Sequence, residues 1–361
     1  SAVSFVEHII TDAIHRNASD IHWEPLADGY RVRFRIDGLL HEMAQAPLLV
    51  TDAIVSRLKI LAQCDISEKR MPQDGRFSFV SSSGQSRDCR LSSCPTIHGE
   101  KIVLRLLEAN KQLLNLNELG LTDADQEIFL HHLSQPQGLI LVTGPTGSGK
   151  TVTLYTALEQ LNRESRNIST VEEPVEIQIP GINQVNVNEK AGLTFSNVLR
   201  ALLRQDPDII MVGEIRDKET AEIAVRAAQT GHLVLSTLHT NNAADTLIRL
   251  LNMGIAAYNL ASSLRLIIAQ RLVRKLCDHC KQQKTARDCG YCFDGFHGRE
   301  AVFELMPISK NISESILTGT RNDIIRQAKK EGLQDLMQSG LAKVQAGITS
   351  LAEVYRVISH E

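Results

Sequence analysis

The chain reads as an α/β protein of more than one domain, on three observations. An apolar run, Leu139-Ile140-Leu141-Val142, enters a glycine-rich loop and leaves it as a helix. Apolar strands then alternate with helical periodicity from residue 119 to about 270, the pattern of a mostly parallel sheet. A strictly alternating strand at 30–36 lies ahead of both, in a segment with its own periodicity. At 361 residues and 43% hydrophobic content, the chain can build two or more cores.

Residues 1–107 predict a small α/β domain. Ser4-x-x-Glu7 is a capping box, followed by Val6, Ile9, Ile10 and Ala13 at helical spacing. In Tyr30-Arg31-Val32-Arg33-Phe34-Arg35-Ile36, alternation puts Val32, Phe34 and Ile36 on one face and three arginines on the other. Taken alone, that arginine face is either a solvated surface or a functional one. Asp37-Gly38 then turns the chain into a hairpin. A short strand at 102–107 closes the domain, and 108–118 reads as a connector.

The core domain is predicted over 119–270, with strands at 139–143, 167–171, 208–212 and 232–237 and a helix at 218–229. Gly144-Pro145-Thr146-Gly147-Ser148-Gly149-Lys150-Thr151 fits the phosphate-cradling P-loop in its required strand–loop–helix context. Glycines let backbone N–H groups turn toward an anion, and the helix beginning near Val152 points its positive end there. Lys150 is then the phosphate counter-charge, and the Thr151 hydroxyl the Mg²⁺ ligand.

Ile209-Ile210-Met211-Val212 leads to Gly213-Glu214, an apolar strand ending in an acid. Gly213 stands where a metal-holding Asp is usual, so Glu214 is expected to polarise a water, contact Mg²⁺ through water, or both. Glu172, Glu173 and Glu176 follow another strand, and His232 and His239 bracket a third. Ligands of open parallel sheets bind beyond the carboxyl ends of strands, so Glu172, Glu214 and His239 are expected to converge on the phosphates.

Residues 271–300 lack regular periodicity and hold Cys277-x₂-Cys280 and Cys289-x₂-Cys292. Two such knuckles predict a tetrahedral Zn²⁺ site, with disulfides or inert thiols as the alternatives. Metal would supply on the order of 10 kcal/mol to a segment with little apolar sequence of its own. Cys64, Cys89 and Cys94 show no pairing. After a strand at 301–305, the C-terminal region to residue 361 reads as mostly helical.

The net charge of −3 gives no broad attraction to nucleic acid. The sequence has no run of eighteen apolar residues and no secretory signal pattern. Paired cysteines beside a nucleotide motif point to a reducing cytosol. A first residue of Ser suggests a trimmed or processed chain.

Taken together, these motifs resemble the secretion ATPase superfamily and, within it, the type II secretion and type IV pilus assembly ATPases. Besides the P-loop, the resemblance is carried by Ser19-Asp20-Ile21-His22, Val32 to Gly38, Glu68-Lys69-Arg70-Met71-Pro72-Gln73-Asp74-Gly75-Arg76 and Glu172-Glu173-Pro174-Val175-Glu176. It continues through Arg204 to Asp208, Met211 to Asp217, Thr230 to Asn241 and Gln270 to Cys277. It implies a RecA-like P-loop core, a preceding small PAS-like domain, a zinc module and a helical C-terminal region. It further implies a homo-hexameric, cytoplasmic motor that hydrolyses ATP with Mg²⁺ and meets platform proteins at the inner membrane. Such a motor touches the membrane only through partners and binds no nucleic acid. Glu214 is implied as the catalytic acid, Glu172 and His239 as residues around the γ-phosphate, and Arg33 as an arginine supplied to a nucleotide, with Arg35 and Arg76 less certain.

The sequence departs from that pattern in three ways. Glu173 stands where Asp is usual, the loop between the cysteine pairs is short, and the chain begins at what corresponds to a second N-terminal domain. A pilus retraction motor, a nucleic-acid translocase and a subunit that binds nucleotide without hydrolysing it are the competing readings. The four cysteines argue against the first, the charge balance against the second, and Lys150, Thr151 and Glu214 against the third.

Overall fold

Alternation of apolar and polar residues along the first strands builds a sheet with one face for a core and one for charge. A computed structural model describes residues 1–81, 84–107, 114–283, 289–290 and 292–358 of the chain. Residues 108–113 of the expected connector, and 284–288 and 291 of the cysteine segment, lie outside the described residues. The chain divides into two units, Ser1–Gln112 and Leu113–Glu361.

Unit 1 consists of α1 (Ala2–His15), β1 (Asp20–Pro25), β2 (Tyr30–Ile36), β3 (Leu39–Ala46), α2 (Leu48–Leu61), β4 (Gln73–Val80), β5 (Ser86–Thr96) and β6 (Gly99–Leu107). Its six strands pair antiparallel in the order β3-β2-β1-β6-β5-β4. Ile21, Trp23, Val32, Phe34, Ile102 and Leu104 are buried, and Phe5 of α1 meets Trp23 edge-on. Asp37 and Gly38 make the β2–β3 turn with φ of 49° and 86°, both left-handed as such a turn requires. Helix α1 starts earlier than the capping box suggests. Ser1 caps it by accepting from the Ser4 N–H, which leaves Ser4 inside the first turn. Fully buried Lys59 of α2 pairs with Glu100 of β6 at 2.6 Å and donates to the Glu68 carbonyl at 2.7 Å. This buried pair ties a helix, a strand and a loop together.

Unit 2 holds the sheet β13-β12-β7-β11-β10-β8-β9. In chain order its elements are α3 (Asp123–Leu133), β7 (Gly138–Thr143), α4 (Lys150–Leu161), β8 (Ile168–Glu172), β9 (Asn183–Asn186), α5 (Phe195–Leu202), β10 (Ile209–Val212) and α6 (Lys218–Gln229). Then follow β11 (Leu233–Leu238), α7 (Ala243–Asn252), α8 (Ala257–Ser263), β12 (Leu264–Leu276), α9 (Asp278–Gln283) and β13 (Phe296–Pro307). Helices α10 (Lys310–Thr318), α11 (Arg321–Lys330), α12 (Leu336–Gln345) and α13 (Leu351–Val357) end the described chain.

The pairings from β12 to β9 are parallel, and β13 runs antiparallel to β12. Both faces of the sheet are covered. Leu139 and Leu141 join one apolar cluster while Ile140 and Val142 join the other, and β10 and β11 divide their residues in the same way. Burial on both sides explains why these strands are continuous apolar runs.

Strand β12 differs from its sequence expectation. Residues 271–276 were expected in the irregular cysteine segment, yet they continue a thirteen-residue strand. Residues 296–300 likewise belong to β13. The arginines that interrupt the apolar pattern of β12 are accommodated by partners from elsewhere. Arg274 bonds Glu353 of α13 at 3.0 Å and lies over the Phe296 ring. Glu353 is 2% exposed and also accepts from Arg356.

Burial alone would raise the Glu353 carboxyl, but hydrogen bonds from Arg356 and Arg274 bring it from 4.5 to about 2. The stabilisation it provides is therefore complete above the ordinary carboxylate value and is lost as pH falls toward about 2. Glu353→Ala should leave Arg274 buried without its partner and cost roughly 3–5 kcal/mol. Urea unfolding at pH 7 and at pH 3 checks this, and the difference between the variant and the parent should shrink at the lower pH.

Candidate active site

The P-loop is set by what lies beside it. Strand β7 is buried over its whole length between β12 and β11. At its end Gly144 has φ 152°, and a Cβ there would lie 2.5 Å from both the Gln270 carbonyl oxygen and Ser148 Oγ. Only glycine fits at this position. Gly149, with φ 90°, then caps α4.

Lys150 Nζ donates to the carbonyls of Gly144 and Pro145 at 2.8 and 2.9 Å. Burial pushes its ammonium down to about 8, against the opposing charge of Glu214. The Ser148 hydroxyl is buried with no hydrogen-bond partner. A buried cation, an unpartnered hydroxyl and a helix N-terminus at one glycine loop suit a phosphate chain. Pro145, Thr146, Gly147 and Thr151 are exposed around it, and Val152 packs against the core.

Parallel strands bring three further loops to the same edge. Gly213 follows β10, and its N–H bonds the Val171 carbonyl at 2.8 Å. A Cβ on Gly213 would stand 3.3 Å from that oxygen, so a glycine there lets the ends of β10 and β8 close together. Glu214 meets Arg216 through one oxygen and His239 Nε2, at 3.4 Å, through the other. Arg216 also donates to Glu173 at 2.9 Å. Burial would raise the Glu214 carboxyl, but Arg216 and then His239 hold it below the usual range. The His239 loop is tied to the P-loop strand, because the Thr240 N–H donates to Thr143 Oγ1 at 3.0 Å.

One residue expected at the phosphates is bound elsewhere, and two secondary candidates stand apart from the strand edge. Glu172 is 3% exposed, and its oxygens accept from Tyr155 of α4, from Thr170 at 2.5 Å and from Gln184 at 3.2 Å. It fastens α4, β8 and β9 to one another. Its position as the last residue of a strand, instead of the first of a loop, turns it inward. His232 precedes β11 and bonds the Ala227 carbonyl, at the opposite end of the strand from His239. Glu176 is exposed, with its N–H bonded to the Tyr155 hydroxyl at 3.1 Å.

Three residues of the site were not singled out from the sequence. Arg216 stands two residues beyond Glu214, a spacing that could have flagged it. Gln270 accepts from Thr153 of α4 at 2.7 Å, and buried Arg271 donates to the Asn241 carbonyl at 2.6 Å. Both lie on β12, whose course the sequence pattern hid.

The four cysteine sulfurs, Cys277, Cys280, Cys289 and Cys292, all lie within 4.8 Å of one another. Measured pairs stand at 3.5–3.7 Å. A disulfide requires about 2.05 Å. Tetrahedral Zn–S bonds of about 2.3 Å place sulfurs about 3.8 Å apart, so this set fits a zinc ion.

In unit 1, Arg76, Arg90, Arg105, Asp20 and Arg35 lie at one level across five strands. A cleft of about 560 Å³ is lined by Arg76, Arg90, Arg105, Asp20 and Asp74. Arg33 spends both prongs on Glu24, at 2.7 and 2.8 Å. Arg31 and Lys101 reach the same carboxylate at 3.1 and 3.2 Å. Burial would raise Glu24, but Arg33 and Lys101 bring it to about 2. Arg35 caps the hairpin through the Gly38 carbonyl at 2.8 Å.

Comparison with known proteins finds matches over nearly the whole chain. The family described as Type II/IV secretion system protein matches residues 1–356. The chain is 52% identical to the type IV pilus assembly ATPase PilB of Pseudomonas aeruginosa, over 98% of this chain and 67% of that protein. It is 44% identical to the type II secretion system protein E of the same organism, over 99% of this chain and 76% of that one. It spans about two thirds of the length of the pilus assembly relatives it matches. Among solved structures, the pilus retraction motor PilT with bound ADP aligns with a TM-score of 0.66 and 30% identity, over 97% of this chain and 96% of that one. The Legionella pneumophila ATPase DotB, 24% identical, shares the fold with a TM-score of 0.77 over 98% of this chain and 95% of that one.

Gly144→Ala should abolish tight nucleotide binding while leaving the fold intact, because the added methyl would push the loop away from β12. Titration with a fluorescent ATP analogue checks this, and a loss of at least roughly tenfold in affinity is expected from disturbing a loop whose backbone makes the contacts.

Proposed function

The chain belongs to the type II/IV secretion system protein family and is a P-loop ATPase of that family, and from this we propose that it is the hexameric motor driving assembly of a type IV pilus or a type II secretion pseudopilus. The reading is carried by one observation. Glu214 and His239 stand in contact at the strand edge that bears the P-loop, and the Glu214 charge is felt by Lys150. A phosphate counter-charge and a general base at one sheet edge suit attack of water on a γ-phosphate.

Lys150 and the loop N–H groups would hold the phosphates, and Glu214 would take a proton from the attacking water. Mg²⁺ brought with the nucleotide would neutralise phosphate charge, with the Thr151 hydroxyl as its protein ligand. His239 would orient Glu214. Arg33 is proposed to serve a nucleotide only after subunits assemble, exchanging Glu24 for phosphate. Arg35 and Arg76 stay secondary candidates on the same sheet. Zn²⁺ held by Cys277, Cys280, Cys289 and Cys292 would fix the segment joining β12 to β13.

No helix among the described residues is long and apolar enough to cross a membrane. By likeness to its pilus assembly and type II secretion relatives, the proposed location is cytoplasmic, at the inner membrane through platform proteins, with no nucleic-acid partner. Assembly is favoured over retraction because identity to the pilus assembly ATPase is 52% and to the retraction motor 30%.

Glu214→Gln should bind ATP with near-parental affinity and turn it over roughly 10²-fold or more slowly, the range expected for loss of a general base. Phosphate release and nucleotide binding, measured on the same preparations, check it, and hydrolysis at the parental rate would remove Glu214 from the chemistry. Protein purified without chelator should carry close to one zinc per chain by elemental analysis, and Cys289→Ser should lower that content while leaving ATP binding unchanged. A metal-free parent would sink the zinc assignment.

A further inference from the structure

Arg216 is the residue that joins two of the loops at the strand edge. Its guanidinium is a planar fork, and the two prongs hold different carboxylates. Nη1 donates to Glu173, beyond β8, at 2.9 Å, and Nη2 donates to Glu214, beyond β10. The second Glu214 oxygen then faces His239, beyond β11. Three adjacent strands thus end in one chain, Glu173–Arg216–Glu214–His239. The guanidinium also stands 5.9 Å from the centroid of the Phe195 ring, at the outer limit of a cation–π contact. Close approach of β8 and β10 at Gly213 sets the span that the fork must bridge.

We propose that Arg216 is a positioning residue for hydrolysis: it fixes the Glu214 carboxylate by anchoring it to Glu173, so that Glu173 acts on the chemistry only through Arg216. This rests on the reading of Glu214 as the general base. A carboxylate at the end of a loop turns freely about its own torsions. Bonded on one side to Arg216 and on the other to His239, it presents a single face to the phosphates. A lysine carries the same charge but is a point donor without the fork, so it cannot hold both acids in one plane. Glu173→Ala removes the 2.9 Å contact and leaves that prong of the fork without its anchor. Arg216 is half exposed, so the role is one of geometry more than of fold stability.

The test uses the full chain under conditions where the parent turns over, with kcat and KM for ATP measured for Arg216→Lys, Arg216→Ala and Glu173→Ala, and thermal melting as the folding control. Arg216→Lys and Arg216→Ala should each lower kcat roughly 10- to 100-fold, as small misplacement of a catalytic group does. KM should stay within about threefold, because the phosphates are held by other residues. Glu173→Ala should lower kcat in the same direction, and its combination with Arg216→Lys should lose no more than Arg216→Lys alone. Arg216→Lys at the parental rate would show that charge suffices and would overturn the proposal, as would independent, additive losses from the two positions. A change confined to KM would place Arg216 in binding and overturn it too. If the parent hydrolyses ATP and Glu214→Gln does so equally well, the functional reading fails instead, and this inference falls with it.

Discussion

Everything at the strand edge depends on β7 being held between β12 and β11 with both faces buried. The P-loop is rich in glycine, and its own side chains hold little of its shape beyond the Lys150 bonds to the Gly144 and Pro145 carbonyls. Its glycines take left-handed or otherwise forbidden conformations, and its one cation folds back on loop carbonyls. The shape is imposed from outside by the Gln270 carbonyl beneath Gly144, by Thr153 bonded to Gln270, and by the Thr143–Thr240 contact toward β11. A loop that binds anions through its backbone must be rigid before the anion arrives, and here that rigidity comes from two neighbouring strands.

Much of the parallel sheet was legible in the sequence because strands buried on both faces leave an unmistakable record. Strands at 139–143, 167–171, 208–212 and 232–237 were read to within one residue at each end, and α6 without any shift. β12 was not read as a strand: its first half was left unassigned within the core domain, and 271–276, where Arg271, Arg274 and Lys275 interrupt the apolar run, was placed in the irregular cysteine segment. Nothing local announces that Glu353, far along the chain, will receive Arg274. Ser4-x-x-Glu7 misled in the opposite way, as a good cap signal that lost to a hydroxyl three residues earlier.

The candidate site shows a similar division. Lys150, Glu214 and His239 follow from motif and strand ends, and the structure places them at one edge. Glu172 is bound inward by Tyr155, Thr170 and Gln184, because as the last residue of β8 it still follows the alternation of the strand, whereas His232 stands ahead of β11, where the sequence put it. Arg216 went unread for a different reason. Its importance lies in spanning two loops, and that distance exists only after folding. The arginines of unit 1 form a third case: alternation put Arg31, Arg33 and Arg35 on one face, yet only the sheet order lines up Arg35 with Arg76, Arg90 and Arg105 around Asp20.

The strand order also dictates a timetable for the emerging chain. In unit 1, β6 completes the sheet at Leu107, and every strand has its neighbours as soon as that residue is made. In unit 2 the phosphate-binding strand is made early, but its two partners, β11 and β12, come much later. Roughly 120 residues separate Thr143 from Leu264, which at ribosomal speeds is on the order of 10 s. Until β11 is made this buried strand has neither partner, and until β12 is made it has only one, while the first unit can already close. The nucleotide site is thus among the last features of the molecule to exist, and a chain that stops short of residue 270 has the P-loop sequence without the strand that shapes it.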